Sequence, residues 1–257
     1  MGNSMTRKEM IDKLSKAIKD KSLVKKYLMA KYFSYLERRR EGKKFLENNL
    51  QTSVKTLIKM MQCVIWAKNK YFGIPTGKSP EDFWVYMEII YELQPDIIIE
   101  IGNFMGGSTL ALAHILDNIG KGRIIGLDIN HNDVPLTVKK HPRIRLITGD
   151  ACELFPTVRD LITTGEKVLI IEDSSHTYKN TINVLRTYNS LVSKGSYFIV
   201  EDTIVNHGLD FPGEFLSGGP YEAVETFMKE NDNFIIDRSR EKFIITWNPR
   251  GYLKKIK

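Results

Sequence analysis

The sequence predicts an α/β protein with a Rossmann-like fold, and three observations support this. Short apolar runs recur between residues 96 and 200, and helix-length segments separate them. The runs have the length of parallel strands that are buried on both faces. Each run ends in acidic residues or glycine, and open α/β sheets bind their ligands at that end of the strands. We therefore expect a ligand site along one edge of a mostly parallel sheet.

The first strand, within residues 96–101, leads into a glycine-rich turn that begins at Gly102. Glycines let the backbone approach a ligand closely, and the helix that begins near Gly107 offers free N–H groups. The Gly-x-x-x-Gly-Gly spacing differs from the dinucleotide fingerprint and lacks the lysine of a phosphate loop, so neither NAD nor ATP is favoured. Many α/β proteins also have a glycine here for structural reasons alone, and this alternative stays open.

The next three strands also end in acidic residues. Residues 122–128 end in Asp128, which follows Gly102 by 26 positions and matches the place where a Rossmann-like fold binds ribose hydroxyls. Residues 143–148 are followed by Asp150, and residues 167–171 by Glu172 and Asp173. Asp128 is therefore the candidate for ribose binding.

Three carboxylates are expected to share one crevice. Asp173 follows the fourth strand, and Glu201 and Asp202 follow the fifth, at residues 195–200. Neighbouring strands lie about 4.8 Å apart, so these side chains should repel one another. A hard divalent cation such as Mg²⁺ would relieve the repulsion and could lower the pKa of a substrate hydroxyl. Alternatively, the acids cap a loop or pair with Lys or Arg.

Histidines supply candidates for a general base. His176 lies three residues after Asp173, on the loop that enters the next helix, although this is also an ordinary place for a histidine. His207 is a weaker alternative, on an active-site loop predicted at residues 206–219. No grouping is predicted around His114, His131 or His141.

The remaining elements complete a seven-stranded sheet. Residues 220–229 are predicted to form a helix, and residues 233–237 and 242–247 a terminal β-hairpin, so the sheet is mixed and parallel except for its last strand. The Gly- and Pro-rich residues 69–82 indicate a linker, and Ser79-Pro80 the start of a helix that ends near Leu93. We predict a basic helical extension at residues 1–68 and the α/β domain at residues 69–257.

Charge is concentrated at the N-terminus. Residues 1–60 contain 16 Lys or Arg against 6 Asp or Glu, and the rest contain 22 against 25. Residues 8–50 have apolar side chains at helical intervals, which predicts basic amphipathic helices. A solvated helix face is the commoner explanation of such a pattern, and contact with a membrane surface, nucleic acid or an anionic substrate is the alternative.

Other features indicate a cytoplasmic enzyme. No apolar stretch has the length of a membrane span, the N-terminus lacks the apolar core of a signal peptide, and Cys63 and Cys152 are expected to be free thiols. No zinc-ligand spacing or aromatic RNA-binding signature points to nucleic acid. We expect a homo-oligomer that acts on a small molecule or sugar.

Four motifs together resemble one known family. They are Phe72-Gly-Ile-Pro with Pro80-Glu-Asp, Glu100-Ile-Gly-x-x-x-Gly-Gly-Ser108, Asp173-Ser-Ser-His-Thr-Tyr178, and Gly195-Ser-Tyr-x-Ile-Val-Glu-Asp-Thr203. In these stretches the chain resembles the cephalosporin hydroxylase family, whose members are similar to S-adenosylmethionine-dependent O-methyltransferases and include rhamnosyl O-methyltransferases. It differs at Tyr86-Met-Glu88, where relatives often have Tyr-Gln-Glu, and its first 60 residues lie outside the resemblance.

The resemblance implies the class I methyltransferase fold and an O-methyltransferase activity. It implies S-adenosylmethionine as the cofactor and Mg²⁺ as the metal, with Asp173, Glu201 and Asp202 as ligands. We expect Asp173 and His176 to be catalytic. The expected cofactor contacts are Glu100, Gly102, Gly106, Ser108, Asp128 and Asp150.

Two rival functions are weighed against this one. A non-catalytic protein could use the same pocket to bind a nucleotide or sugar, and it would not need the acids to bind a metal. An oxidative enzyme is disfavoured because the sequence has neither a 2-His-1-carboxylate set nor a haem motif. Fold kinship alone does not decide between such functions.

Overall fold

The computed structural model describes residues 51–207 and 218–257. The predicted basic helices at residues 8–50 and most of the predicted loop at residues 206–219 lie outside the described residues. The described residues from Val64 onward belong to one compact unit, and residues 51–63 belong to another. The domain boundary between residues 68 and 69 stays a prediction.

Seven helices and nine strands are numbered here in chain order within the described residues. The helices are α1 (Val54–Lys68), α2 (Pro80–Leu93), α3 (Gly107–Ile119), α4 (Leu136–Lys139), α5 (Ala151–Arg159), α6 (Tyr178–Tyr188) and α7 (Pro220–Glu230). The strands are β1 (Lys70–Tyr71), β2 (Ile74–Pro75), β3 (Ile97–Ile101), β4 (Arg123–Asp128), β5 (Ile144–Thr148), β6 (Val168–Glu172), β7 (Tyr197–Val200), β8 (Phe234–Ile236) and β9 (Tyr252–Lys255). None of these helices is both long and apolar enough to cross a membrane.

The main sheet has seven strands in the order β5-β4-β3-β6-β7-β9-β8. Strands β3 to β7 pair in parallel, and β9 runs antiparallel to both β7 and β8. The predicted mixed sheet, parallel except for its last strand, is confirmed. The strand order reverses between β3 and β6, and open α/β sheets bind ligands in the crevice at this switch point.

Helices cover both faces of the sheet. In β3, Ile97 and Ile99 pack into the cluster that contains residues of α6 and α7, whereas Ile98 packs with residues of α2 and α3. All three isoleucine side chains are fully buried. Alternate residues of a strand point to opposite faces, so a continuous apolar run is required where both faces are covered. This explains why the strands were recognisable in the sequence.

The C-terminal hairpin was predicted with a wrong second strand. Its first strand is confirmed as β8, but the partner is β9 at Tyr252–Lys255 rather than residues 242–247. Residues 238–241 form a 3₁₀ turn, and Ile244 has a φ of +70° with its side chain 92% exposed. The buried carboxylate of Asp82 then accepts a hydrogen bond from the backbone N–H of Trp247 at 2.8 Å. This stretch is therefore bound to α2 instead of the sheet.

The start of α2 agrees with its predicted capping signal. The Ser79 hydroxyl accepts a hydrogen bond from the backbone N–H of Asp82, and Pro80 is the first helical residue. The stretch before it was predicted as a linker, but it contains the antiparallel pair β1 and β2. Asn69, directly before β1, helps to position Lys78, because its side chain donates a hydrogen bond to the Lys78 carbonyl at 2.5 Å.

Candidate active site

Gly102 brings the ends of β3 and β6 together. Its φ is +91°, and a Cβ atom at this position would lie 2.1 Å from the carbonyl oxygen of Asp173. The backbone N–H of Asp173 also donates to the carbonyl of Ile101 at 2.8 Å. The glycine is thus required by close backbone packing, which is the structural alternative that the sequence left open. This close packing fixes the position of the Asp173 backbone in the site.

Glu100 organises the glycine-rich turn from inside the protein. Its fully buried carboxylate accepts hydrogen bonds from the Ser108 hydroxyl at 2.6 Å, the Thr109 hydroxyl at 2.5 Å and the Asn103 amide at 2.8 Å. Burial raises the pKa of Glu100, and Lys78 and these donors oppose the shift. Gly106 has a φ of +82° and caps the start of α3. Glu100 and Ser108, two of the expected cofactor contacts, are therefore bonded to each other.

Asp128 and Asp150 end neighbouring strands and bind backbone amides. One carboxylate oxygen of Asp128 accepts from the N–H of Asn103 at 2.9 Å and of Phe104 at 3.0 Å, which ties β4 to the glycine-rich turn. Asp150 caps α5 by accepting from the N–H of Cys152 at 2.8 Å. Asp128 is only half-buried and Asp150 is exposed, so both carboxylates remain accessible at the edge of the sheet.

The fold brings Asp173, His176 and Asp202 into one cluster. Strands β6 and β7 are paired in register, so Asp173 and Glu201 follow them side by side. Nε2 of His176 lies 3.3 Å from Oδ2 of Asp202 and 3.8 Å from Oδ1 of Asp173. The backbone of Asp202 has a φ of +54°, and its N–H donates to the side chain of Asn248 at 2.9 Å. This turn directs the carboxylate toward His176.

Lys78 is a site residue that the sequence analysis missed. Its ammonium forms an ion pair with Oδ2 of Asp173 and another, at 2.5 Å, with Oε1 of Glu201. The lysine side chain is 4% exposed. Burial alone would lower the pKa of Lys78, but the surrounding carboxylates outweigh it and raise the pKa above its ordinary value. The sequence contains one indirect signal for such a residue: three carboxylates predicted to lie close together require a positive charge nearby.

The cluster has more negative than positive charge. Among the described residues, Asp173 and Glu201 pair with one ammonium, that of Lys78, and His176 adds a positive charge only when protonated. Burial raises the pKa of Glu201 and of Asp202, and the negative charge of Asp173 raises both further. A divalent cation, which prefers oxygen ligands, would relieve the electrostatic repulsion between these carboxylates.

The side chains of this cluster therefore fit a divalent cation. Asp173, His176 and Asp202 each offer one ligand atom, and these atoms lie within 4.8 Å of one another. Glu201 is the third predicted ligand; its Oε1, like Oδ2 of Asp173, is bonded to Lys78, and its role as a ligand stays a prediction. A cation between Asp173 and Asp202 would accordingly have the Lys78–Glu201 pair as its neighbour.

Two further histidines have defined partners. His131 is buried, with Nδ1 2.8 Å from the Thr148 hydroxyl and Nε2 3.1 Å from the Asn103 side chain, so it connects β5 to the glycine-rich turn. Burial lowers the pKa of His131. His207, the weaker candidate for the base, lies 2.7 Å from Glu222 at the start of α7.

Comparisons with known proteins agree on one family. A family model described as "Rhamnosyl O-methyltransferase/CmcI" matches residues 63–256. The chain is 32% identical over 198 residues to the Rhamnosyl O-methyltransferase of Mycobacterium tuberculosis, covering 74% of this chain and 79% of that protein. For the protein of the same name from Mycobacterium leprae, the identity is 31%, with coverages of 74% and 84%.

Solved structures share the fold. One described as "cmcI-D160 Mg-SAM" superposes with a TM-score of 0.59 at 24% identity, covering 74% of this chain and 77% of that chain. Another, described as "CmcI-N160 apo-structure", gives a TM-score of 0.58 at 24% identity, with coverages of 74% and 76%. These likenesses support the Rossmann-like fold with a mixed sheet.

Proposed function

The chain belongs to the rhamnosyl O-methyltransferase/CmcI family, and from this premise we propose that it is an S-adenosylmethionine-dependent O-methyltransferase whose acceptor is a sugar hydroxyl. We further propose that Mg²⁺ assists the transfer. The observation that carries the proposal is the cluster of Asp173, His176 and Asp202 at the carboxyl ends of β6 and β7. It lies beside the turn after β3, where a Rossmann-like fold binds its cofactor.

The acceptor side of the site is assigned to His176 and the two aspartates. When bound, S-adenosylmethionine supplies an electrophilic methyl group, and Mg²⁺ supplies a Lewis acid that lowers the pKa of a hydroxyl. His176 is 25% exposed, so its ring can reach a substrate, and it is the proposed general base for the hydroxyl proton; in that role the ring would not bind the cation, which Asp173 and Asp202 would hold. Once the ring is protonated, its Nε2–H would face Oδ2 of Asp202, 3.3 Å away, and this negative charge would stabilise the imidazolium.

The cofactor side is assigned to the turn after β3 and to the ends of β4 and β5. Asp128 is the proposed ribose contact because its partly exposed carboxylate already fixes the turn that would surround the ligand. Asp150 is the proposed contact one strand further along. Gly102, Gly106, Glu100 and Ser108 shape the turn, and α3 begins directly after it; the first turn of a helix leaves N–H groups that can bind a ligand.

Family membership favours the enzyme over the non-catalytic alternative. A protein that only binds a ligand needs a pocket. It does not need a histidine beside a group of carboxylates that outnumber the neighbouring positive charges. Oxygen ligands and a partly exposed imidazole suit a cation-assisted proton transfer. The sugar acceptor is supported by the name of the mycobacterial relatives.

Calorimetric titration of S-adenosylmethionine into the purified chain tests the function. We expect binding with a dissociation constant in the micromolar range, about 8 kcal/mol of binding free energy, both with Mg²⁺ and with EDTA. Binding in both buffers is expected because the cofactor contacts and the acids belong to different strands. Absence of binding in both would contradict the proposal. Adenosine triphosphate serves as a control ligand and is expected not to compete.

A Lys78→Met variant tests whether a cation binds among the acids. Without the ammonium, the buried Glu201 and the partly buried Asp173 lose their counter-charge, and we expect the free energy of unfolding in EDTA to fall by about 3 kcal/mol. Mg²⁺ should restore part of this loss, because removal of a positive charge strengthens cation binding beside it. Urea denaturation with and without Mg²⁺ measures both effects.

The matched control is Lys121→Met, since Lys121 pairs with Asp96 at 2.8 Å on the exposed surface. This variant should lose less than about 1 kcal/mol and should show no added response to Mg²⁺. If Mg²⁺ stabilises Lys78→Met no more than it stabilises the wild type, the cation does not bind at the acids.

A further inference from the structure

A second cluster of metal-binding side chains lies on different elements from the acidic site. His114 and Asp117 are three residues apart on α3 and therefore share one face of the helix. His141 lies in the turn between α4 and β5, and its ring centroid is 5.6 Å from that of His114. From the sequence we expect no grouping around His114 or His141 and no 2-His-1-carboxylate set; both expectations are wrong, because residues distant in sequence meet only through the packing of α3 against β5.

The geometry of the cluster suits a small transition-metal ion. His114, Asp117 and His141 each offer one ligand atom, and the three atoms lie within 4.8 Å of one another. Nε2 of His141 is 3.1 Å from Oδ2 of Asp117. Tetrahedral Zn²⁺, with bonds of about 2.0–2.2 Å, separates its ligand atoms by about 3.4 Å. Shifts of about 1 Å or less in the distances between these atoms therefore bring them to the ligand separation of the ion.

We propose that His114, Asp117 and His141 form a Zn²⁺ site, with water as the fourth ligand. Two imidazoles and one carboxylate are a donor set that Zn²⁺ prefers, whereas Mg²⁺ prefers oxygen ligands. The site is therefore chemically distinct from the acidic cluster at Asp173. The proposal does not depend on the methyltransferase function.

The neighbours of the cluster hold its ligands as outer-shell groups do in metal sites. The Tyr71 hydroxyl lies 2.9 Å from Nδ1 of His114, and such a partner fixes the orientation of a ligating ring. Arg143 donates from Nε to Oδ1 of Asp117 at 2.6 Å, which leaves Oδ2 directed toward His141. The carboxylate can thus bind a metal through Oδ2 while Arg143 keeps its bond.

Metal binding would replace one proton in the cluster. The backbone N–H of Arg143 donates to Nδ1 of His141 at 3.3 Å, so the proton of the neutral ring lies on Nε2 and is donated to Asp117. Zn²⁺ takes the place of this proton between Nε2 and Oδ2. The ring then carries its proton on Nδ1 and gives up the longer bond to Arg143, which is the weaker of the two contacts.

The role of such a site is to connect separate elements. It would join α3 to the chain that enters β5, and through Tyr71 it would also hold the β1–β2 pair. Binding of an ion to the folded state alone raises stability by mass action. We therefore expect Zn²⁺ to raise the melting temperature of the untagged full-length chain after EDTA treatment and dialysis.

Zn²⁺ retention after dialysis, measured by metal analysis, tests the assignment. The wild type should retain one equivalent, and His114→Gln, His141→Gln and the milder Asp117→Asn should lose it together with the Zn²⁺-dependent rise in melting temperature. His207→Gln removes an unrelated histidine, and Asp173→Asn alters the acidic cluster; both should retain the ion. Tyr71→Phe should weaken Zn²⁺ binding about tenfold, as expected for an outer-shell partner.

Far-ultraviolet circular dichroism and a cooperative urea-unfolding transition show that each variant is folded. Equal retention of Zn²⁺ by the wild type and by all three cluster variants would overturn the proposal. It would also be overturned if Asp173→Asn were the variant that loses the ion, because the Zn²⁺ would then lie among the active-site acids.

Discussion

An Asp173→Asn variant is expected to lose methyl transfer while it binds S-adenosylmethionine with an affinity within about twofold of the wild type. The carboxylate of Asp173 contacts the Lys78 ammonium and lies 3.8 Å from His176, so its charge holds the acceptor side of the site together. We expect the turnover rate to fall at least about a hundredfold, the lower range for loss of general acid–base function. A single-turnover assay at saturating cofactor measures this effect.

The control for this variant is Asp160→Asn, which removes an exposed carboxylate that pairs with its neighbour Arg159 on the surface. Its turnover should equal that of the wild type. If Asp173→Asn retained the wild-type rate, the cluster at β6 and β7 would have no role in the chemistry. If it lost cofactor affinity as well as rate, the separation of acceptor and cofactor sides would be wrong.

A Gly102→Ala variant is expected to have the largest effect on stability. The added methyl group would lie 2.1 Å from the carbonyl oxygen of Asp173, and backbone atoms cannot move aside as a flexible side chain can. The residue would also have to keep a φ of +91°, which is unfavourable for alanine. We expect a loss of about 4 kcal/mol in the free energy of unfolding, or failure to fold. Urea denaturation measures the loss.

A Gly120→Ala variant separates the cost of the left-handed backbone conformation from the cost of the steric clash. Gly120 has a φ of +84° at the end of α3, and apart from its own chain neighbours no described atom lies within 4 Å of the position that a Cβ would take. This variant should lose only about 1–2 kcal/mol, from the left-handed conformation alone. Equal losses in the two variants would show that Gly102 is required only for its backbone conformation and does not place Asp173.

The buried strands were predictable because covering both faces of a sheet demands unbroken apolar runs. This held for β3 to β7, whose ends also led to the acids of the site. It failed at the hairpin, where the apolar residues of 242–247 imitate a strand, while β9 contains Lys254 and Lys255 and lacks a strong apolar pattern. Ile244 has a positive φ, which interrupts an extended strand in residues 242–247, and this backbone conformation cannot be predicted from the apolar pattern.

The candidate site was predictable only in part. The carboxylates at the ends of β6 and β7 follow from strand register, which the sequence indicates. Lys78 lies nearly a hundred positions before Asp173, in a stretch rich in glycine and proline, and nothing local marks it as buried. His114 and His141 likewise meet through the packing of α3 against the sheet. Long-range contacts of this kind carry no periodic signal.

Methyl transfer to a sugar tests the central claim most directly. Isotopically labelled S-adenosylmethionine would be incubated with the chain and a panel of glycosides that includes a rhamnoside, in Mg²⁺ and in EDTA, and the products analysed by mass spectrometry. We expect the label on a sugar oxygen in Mg²⁺, and strongly reduced transfer in EDTA that added Mg²⁺ restores. Cofactor binding without transfer to any sugar hydroxyl would contradict the proposed acceptor, and equal transfer in EDTA would contradict the role of the cation.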